Sequence, residues 1–175
     1  MADKFLQRRF DITHDFIDKH INKEMKILDL GIPNELSEQI KSRGYNVSNT
    51  APGVDLDIDF EIVKSDEYQV VTAFEILEHL FNPFTILKNV KADKLIASVP
   101  LNVWFSPSHW SNTEPWDCHY HEFEVRQFNR LLEKTGWKLI EGKTFKCPHT
   151  LLGIRPLLRR FYPSYYIVYC EKIKV

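Results

Sequence analysis

Cysteine is scarce in this sequence: Cys118, Cys147 and Cys170 are the three present, and none stands in a C-x-x-C spacing. That excludes a disulfide framework and a cysteine-only zinc site, and it favours a reducing compartment. Long apolar runs are missing too. No stretch is long enough to cross a bilayer, and Met1 to Phe10 carries Asp3, Lys4, Arg8 and Arg9 with no apolar run behind them. The expectation is a cytoplasmic protein, neither secreted nor membrane-spanning. Nor is there an excess of one charge. With 23 basic and 24 acidic residues the formal charge is −1, so no global field draws the chain to nucleic acid or acidic lipid. A G-x-G-x-x-G turn is absent, which argues against a nicotinamide-dependent dehydrogenase. Internal repeats and Gly/Ser-rich linkers are absent as well, which leaves one domain over residues 1–175. A chain of this length buries roughly 70% of its unfolded surface and needs no staples.

What is present alternates. Lys26-Ile27-Leu28-Asp29-Leu30-Gly31 is a short apolar run closed by glycine, as a buried parallel strand ending in a tight turn requires. Asn34 then caps a helix with Leu36 and Ile40 on one face, and Gly44 stops it before a β-prone run at Tyr45 to Ser48. A second apolar strand runs from Gln69 to Phe74. Asn82-Pro83 opens a helix whose buried face is Phe84, Leu87 and Val90, and Lys94 to Val99 repeats the strand pattern up to Pro100. Phe123, Val125, Phe128, Leu131 and Leu132 make a helical stripe over Phe123 to Lys134. Trp137 to Phe145 and Tyr166 to Cys170 read as an antiparallel edge pair. The pattern predicts an α/β fold with an open, mostly parallel sheet, helices on both faces and a C-terminal antiparallel edge. Residues 1–24, with Phe16, Ile17 and Ile21 at helical spacing, form a helical cap on the sheet or over its cleft.

In such a sheet, ligands lie beyond the carboxyl ends of the strands. Asp29, at the end of an apolar strand, would be costly unless bonded to backbone or to a ligand's amino group. Glu75, Glu78 and His79 form an E-x-x-E-H at a strand end and could hold a hard cation or take a proton. Their milder role is to line a pocket and support the next helix. Residues 101–121, rich in Trp, His and Pro, read as a lid loop. His109, His119 and His121 in it, with His79, are candidate bases. A zinc site of His109, Cys118, His119 and His121 is the minority reading, because the spacing is irregular. Near the end, Arg155, Arg159 and Arg160 sit among Leu157, Leu158, Phe161, Tyr162, Tyr165 and Tyr166. That segment suits an anionic or aromatic partner, or else arginines around a buried apolar helix or a homodimer contact.

Three blocks resemble the class I S-adenosylmethionine-dependent methyltransferases, in the subgroup of small-molecule and quinone-precursor O-methyltransferases. They are Ile27 to Gly31, Val70 to Leu80 with Asn82-Pro83, and Ser98-Val99-Pro100; His119, His121, Phe123, Phe128, Leu131, Leu132 and Gly136-Trp137 extend the likeness. The resemblance implies a Rossmann-like methyltransferase fold, S-adenosylmethionine as cofactor and methyl transfer to an oxygen or nitrogen of a small molecule. It places Asp29, Gly31, Asp57, Asp59, Phe74 and Glu75 at the cofactor. It also implies that Glu75, Glu78 and His79 hold a divalent metal such as magnesium, as in some quinone-precursor enzymes.

The sequence departs from that family in three places. Ile32, Pro33, Asn34 and Glu35 follow Gly31 where further glycines are expected; Pro33 lacks an N–H, and an inward Glu35 would repel the cofactor carboxylate. Ala51 falls where an acid should hold the ribose, which leaves Asp55, Asp57 or Asp59 as replacements. Between Val47 and Val70 the chain is too short for the usual helix and third strand. These departures motivate the alternative, a methyltransferase-like domain without catalysis that serves as a ligand-binding or interaction module.

Overall fold

The computed structural model describes residues 4–114, 116–146 and 153–173. Among them, six strands form one sheet in the order β2-β1-β3-β4-β6-β5. These are β1 (Lys26–Asp29), β2 (Asn46–Asn49), β3 (Val70–Phe74), β4 (Lys94–Pro100), β5 (Trp137–Phe145) and β6 (Tyr165–Lys172). The first four pair in parallel, while β6 runs antiparallel to both β4 and β5. The helices are α1 (Lys4–His20), α2 (Glu35–Ser42), α3 (Pro83–Asn89), α4 (Val125–Lys134) and the short α5 (Ile154–Leu158).

Successive strand side chains point to opposite faces, so each apolar strand feeds two cores. Leu28, Val71, Leu95, Ala97 and Val99 pack with Ile86 and Leu87 of α3 and Phe128 and Leu132 of α4. Ile27, Val70, Ile96, Ile167 and Tyr169 pack on the other face with Phe16, Ile17 and Ile21 from the α1 segment and Leu36 and Ile40 of α2. Caps fix the helix starts. Asn34 Oδ1 accepts the Ser37 N–H at 3.0 Å, and Asn82 Oδ1 accepts the Thr85 N–H at 3.2 Å, with Pro83 at the first helical position. Gly44 stops α2 with φ of +91°, a conformation open to glycine.

Four expectations change. Phe84 is 45% exposed, because starting the helix at Pro83 sets a phase that turns Pro83, Ile86 and Leu87 inward. Phe123 precedes α4 rather than opening it: it forms a parallel bridge with Leu101 and packs edge-on to Phe128, with centroids 5.1 Å apart. The last strand is interior, since Tyr165 to Cys170 are all buried and fit between β4 and β5, whereas β5 is mostly exposed and takes the edge. Helix α5 is not buried either: Ile154 and Leu157 are exposed. Between β2 and β3 the described chain has turns and one 3-10 turn at Glu61–Lys64 in place of a helix and strand, leaving β2 at the opposite edge. Cys118 and Cys170 are buried free thiols; Cys147 lies outside the described residues.

Candidate functional site

The sheet changes direction between β1 and β3, because β1 is followed by its neighbour on one side and β3 starts the other. This is the switch point at which open α/β sheets bind ligands. Two clefts open there. One of about 360 Å³ is lined by Leu30, Gly31, Thr50, Asp55, Leu56 and Ile76, among others. A larger one of about 670 Å³ runs under the loop after β4, past Arg9, His109, Trp110, His119 and His121. Glu75, His79 and Asp117 line both, so the clefts adjoin.

In the smaller cleft the chain bends tightly after β1. A Cβ on Gly31 would lie 3.3 Å from Asp29 Oδ2, 3.4 Å from Asn34 Nδ2 and 3.6 Å from Ile76 Cδ1, so a side chain at this turn would touch all three and press on Asp29. Asp29 is buried beneath it. The Thr72 hydroxyl donates to Oδ1 at 2.8 Å and Asn49 Nδ2 donates to Oδ2 at 2.9 Å, which ties the ends of β1, β2 and β3 together. Burial nevertheless pushes the Asp29 carboxyl up to about 7, against those bonds. Asn49 also donates to the Gly31 carbonyl, while its own Oδ1 is buried without a hydrogen-bond partner among the described residues. Glu35 is exposed and accepts from Gln39 Nε2, so it does not face inward.

At the end of β3 the chain turns through Glu75, the one non-glycine residue at positive φ (56°) among those described. The Glu75 carboxylate pairs with Arg9, which α1 carries across the cleft, and accepts from Ser98 Oγ at 3.3 Å. Burial raises its pKa while Arg9 opposes the rise. One turn on, Glu78 is 1% exposed, and neither carboxylate oxygen has a hydrogen-bond partner among the described residues. Burial, reinforced by the charge of Glu75, holds this carboxyl well above the usual range. An unpartnered buried carboxyl is costly unless something else meets it. His79 and His119 stand next to it: the three residues' ligand atoms lie within 4.8 Å of one another. Burial lowers the His79 pKa and takes His119 down to about 4, helped by its imidazole neighbours, so both rings are neutral at pH 7. His109 Nε2 lies 2.8 Å from Asp117 Oδ2, and its ring centroid is 5.4 Å from that of His119.

The four histidines named from the sequence thus line one cleft. Gly31, Asp57 and Glu75 line the smaller cleft, and Asp29 sits just beneath its floor. Phe74 and Asp59 do not line either cleft. Phe74 packs against the α1-side core, and Asp59 is exposed, accepting the Glu61 N–H at 3.4 Å. Both Asp57 oxygens are engaged, by the N–H groups of Phe81 and Asn82, so Asp57 rather than Glu78 supports the start of α3. Asp55 lines the cleft with one oxygen holding the Asp57 N–H. His119, not Glu75, completes the cluster with Glu78 and His79. The zinc set fails because Cys118 Sγ turns to the Ser111 carbonyl and, among the described residues, joins no such cluster. Sequence reasoning missed Arg9, Asn49 and Asp117; only Asn49, at the end of the second strand, stood where a ligand residue is sought.

Neither a protein-family model nor a curated protein sequence matches the chain. Solved structures do. A 1,6-didemethyltoxoflavin-N1-methyltransferase from Burkholderia thailandensis, with 1,6-didemethyltoxoflavin and S-adenosylhomocysteine bound, superposes with a TM-score of 0.67 at 12% identity, over 99% of this chain and 80% of that one. A methyltransferase from Methanosarcina mazei gives 0.66 at 11%, over 91% and 98%. The cyclase SpnF gives 0.62 at 11%, over 94% and 82%. The chain is similar to all three in fold, and a fold shared by methyltransferases and a cyclase leaves the reaction to be argued from the site.

Proposed function

We propose, from the S-adenosylmethionine-dependent methyltransferase fold as premise, that this chain transfers a methyl group from S-adenosylmethionine to an oxygen or nitrogen of a small molecule. The observation that carries the reading is the pair of adjoining clefts at the switch point, one apolar and beside a glycine turn, the other rich in imidazole. The smaller cleft fits the adenosyl end. Its Gly31 turn lets backbone come close, Leu56 and Ile76 give apolar walls, and Asp55 has an oxygen left for the ribose in place of the acid missing at Ala51. The amino-acid end of the cofactor is a zwitterion, and the Glu75–Arg9 pair offers the matching opposite charges. Asp29 holds the turn in shape from below.

The cofactor supplies a methyl group already activated on a sulfonium, so the protein must align an acceptor, exclude water and remove a proton. Trp110 and the loop over residues 101–121 would cover the acceptor. His109, oriented by Asp117, would take the acceptor's proton. The Glu78, His79 and His119 cluster would hold a divalent cation. A set of two neutral imidazoles and one carboxylate suits zinc, manganese or iron better than magnesium, which prefers oxygen. A bound cation would neutralise Glu78, and the cluster could then orient an acceptor oxygen.

Calorimetric titration with S-adenosylmethionine and S-adenosylhomocysteine tests the reading. Micromolar binding of both is the expected result. A folded chain that binds neither would leave the non-catalytic ligand-binding or interaction module, for which the glycines missing after Gly31, the acid missing at Ala51 and the shortened stretch before β3 are the motive.

A further inference from the structure

The loop after β4 and the segment around α5 meet at one end of the molecule. Arg159 Nη2 donates to Ser106 Oγ at 3.4 Å, Phe105 lies against Tyr162 with centroids 5.8 Å apart, and Trp104 meets Phe105 edge-on at 5.5 Å. The side chains they present are large, apolar and in water. Trp104 is 77% exposed, Ile154 78% and Phe161 66%, with Leu157 and Tyr162 beside them. A cluster of this kind marks an interaction surface.

Its charge is mainly positive around α5. Residues 153–163 contain Arg155, Arg159 and Arg160 and no aspartate or glutamate, in a chain whose acids outnumber its bases, while the loop over residues 101–121 carries Glu114 and Asp117, the latter paired with His109. We infer that this face docks on an anionic membrane surface, with Trp104, Ile154 and Phe161 entering the boundary between headgroups and acyl chains and Arg155 and Arg160 meeting lipid phosphates. Aromatic rings and arginine stems are suited to that boundary, which is apolar on one side and wet on the other. A second copy of this chain fits less well. A two-fold contact would press the same arginine-bearing patch against itself, with like charge on both sides. The balanced net charge is no obstacle, because attraction to a lipid surface acts within a Debye length and is felt by the patch that faces it.

Val103, Ser106 and Arg159 also line the larger cleft, so its mouth opens beside the patch. A docked molecule would take an amphiphilic acceptor from the bilayer surface. That clause rests on the methyl-transfer reading; the docking does not.

The test is co-sedimentation of the full chain, without cofactor, with phosphatidylcholine vesicles containing phosphatidylglycerol and with vesicles of phosphatidylcholine alone, with tryptophan emission recorded. The expected result is binding to the mixed vesicles with a blue shift, weakened by salt and much reduced on phosphatidylcholine alone. Arg155→Ala and Arg160→Ala should each weaken it roughly fivefold, and Trp104→Ala with Phe161→Ala should abolish the blue shift. All four side chains are solvent-facing, and an unchanged thermal midpoint checks that the variants fold. No binding to the mixed vesicles, or equal binding to both kinds, overturns the proposal. So does a dimer in sedimentation velocity that the Trp104→Ala, Phe161→Ala variant dissociates, which would assign the face to a second copy. Cofactor titration needs no lipid, so failure here leaves the methyl-transfer reading standing, and failure there leaves this one.

Discussion

Asp29 binds Thr72 and Asn49 and still holds its proton to about pH 7, because removal from water outweighs the bonds that favour its charge. The unfolded chain releases that proton near 3.8. Between those values the folded state binds more protons, so the stability this group contributes is full below about pH 4 and is lost as pH rises through 7. Thermal midpoints measured across that window should fall with pH, and Asp29→Asn should flatten the slope in part; identical slopes would free Asp29 of this role. Glu78 poses the same problem without a hydrogen-bond partner for its carboxylate among the described residues. If a cation meets it, zinc or manganese should raise the wild-type midpoint and be detected by elemental analysis after dialysis. Glu78→Gln should bind neither ion and should be more stable than wild type at pH 7 without metal, since it needs neither to bury a charge nor to hold a proton against its ordinary titration. A variant that binds the ions as well as wild type would remove Glu78 from the site. The E-x-x-E-H motif was legible as a cluster, but which member turns inward depends on the bend at Glu75, whose partner Arg9 lies 66 positions away in sequence.

Strand β6 shows how much an element depends on its neighbours. Its apolar run was readable, yet its place between β4 and β5 follows from burial on both faces, which a run of this length shares with an edge strand. One contact there can be tested. The Tyr166 ring crosses Gly142 of β5, where a Cβ would lie 2.9 Å from Tyr166 Cζ, and its hydroxyl donates to Asn129 of α4 at 2.9 Å. Gly142→Ala must displace a buried ring and should cost about 1–3 kcal/mol, seen in thermal or urea unfolding. Adding Tyr166→Phe should recover part of the loss by removing the crowded hydroxyl; no recovery would mean that the clash is not the cause. Helix α1 was legible by its spacing of Phe16, Ile17 and Ile21, but not the fact that the same helix delivers Arg9 to the cleft.

For the molecule as a whole, ligand binding and stability are one measurement. A ligand at a hundred times its dissociation constant adds about 2.7 kcal/mol, or about 5–10 °C for a chain of this size. S-adenosylhomocysteine should raise the wild-type midpoint by that order, and Gly31→Ala should lose part of the rise, because the new methyl would press on Asp29 at the turn. An equal rise in both proteins would place the ligand elsewhere. By itself the sequence determined the strand and helix order, the caps at Asn34 and Asn82, the stop at Gly44 and the shortened stretch before β3. Each is written in a few consecutive residues through periodicity, capping chemistry or allowed φ. The tertiary structure alone decided that His119 joins Glu78 and His79, that Asp57 serves α3, that Arg9 faces Glu75, and that Arg159 near α5 reaches Ser106 in the loop that carries Trp104. Those are contacts between residues far apart in the chain, and only the packing of the sheet and its loops brings their side chains within reach of one another.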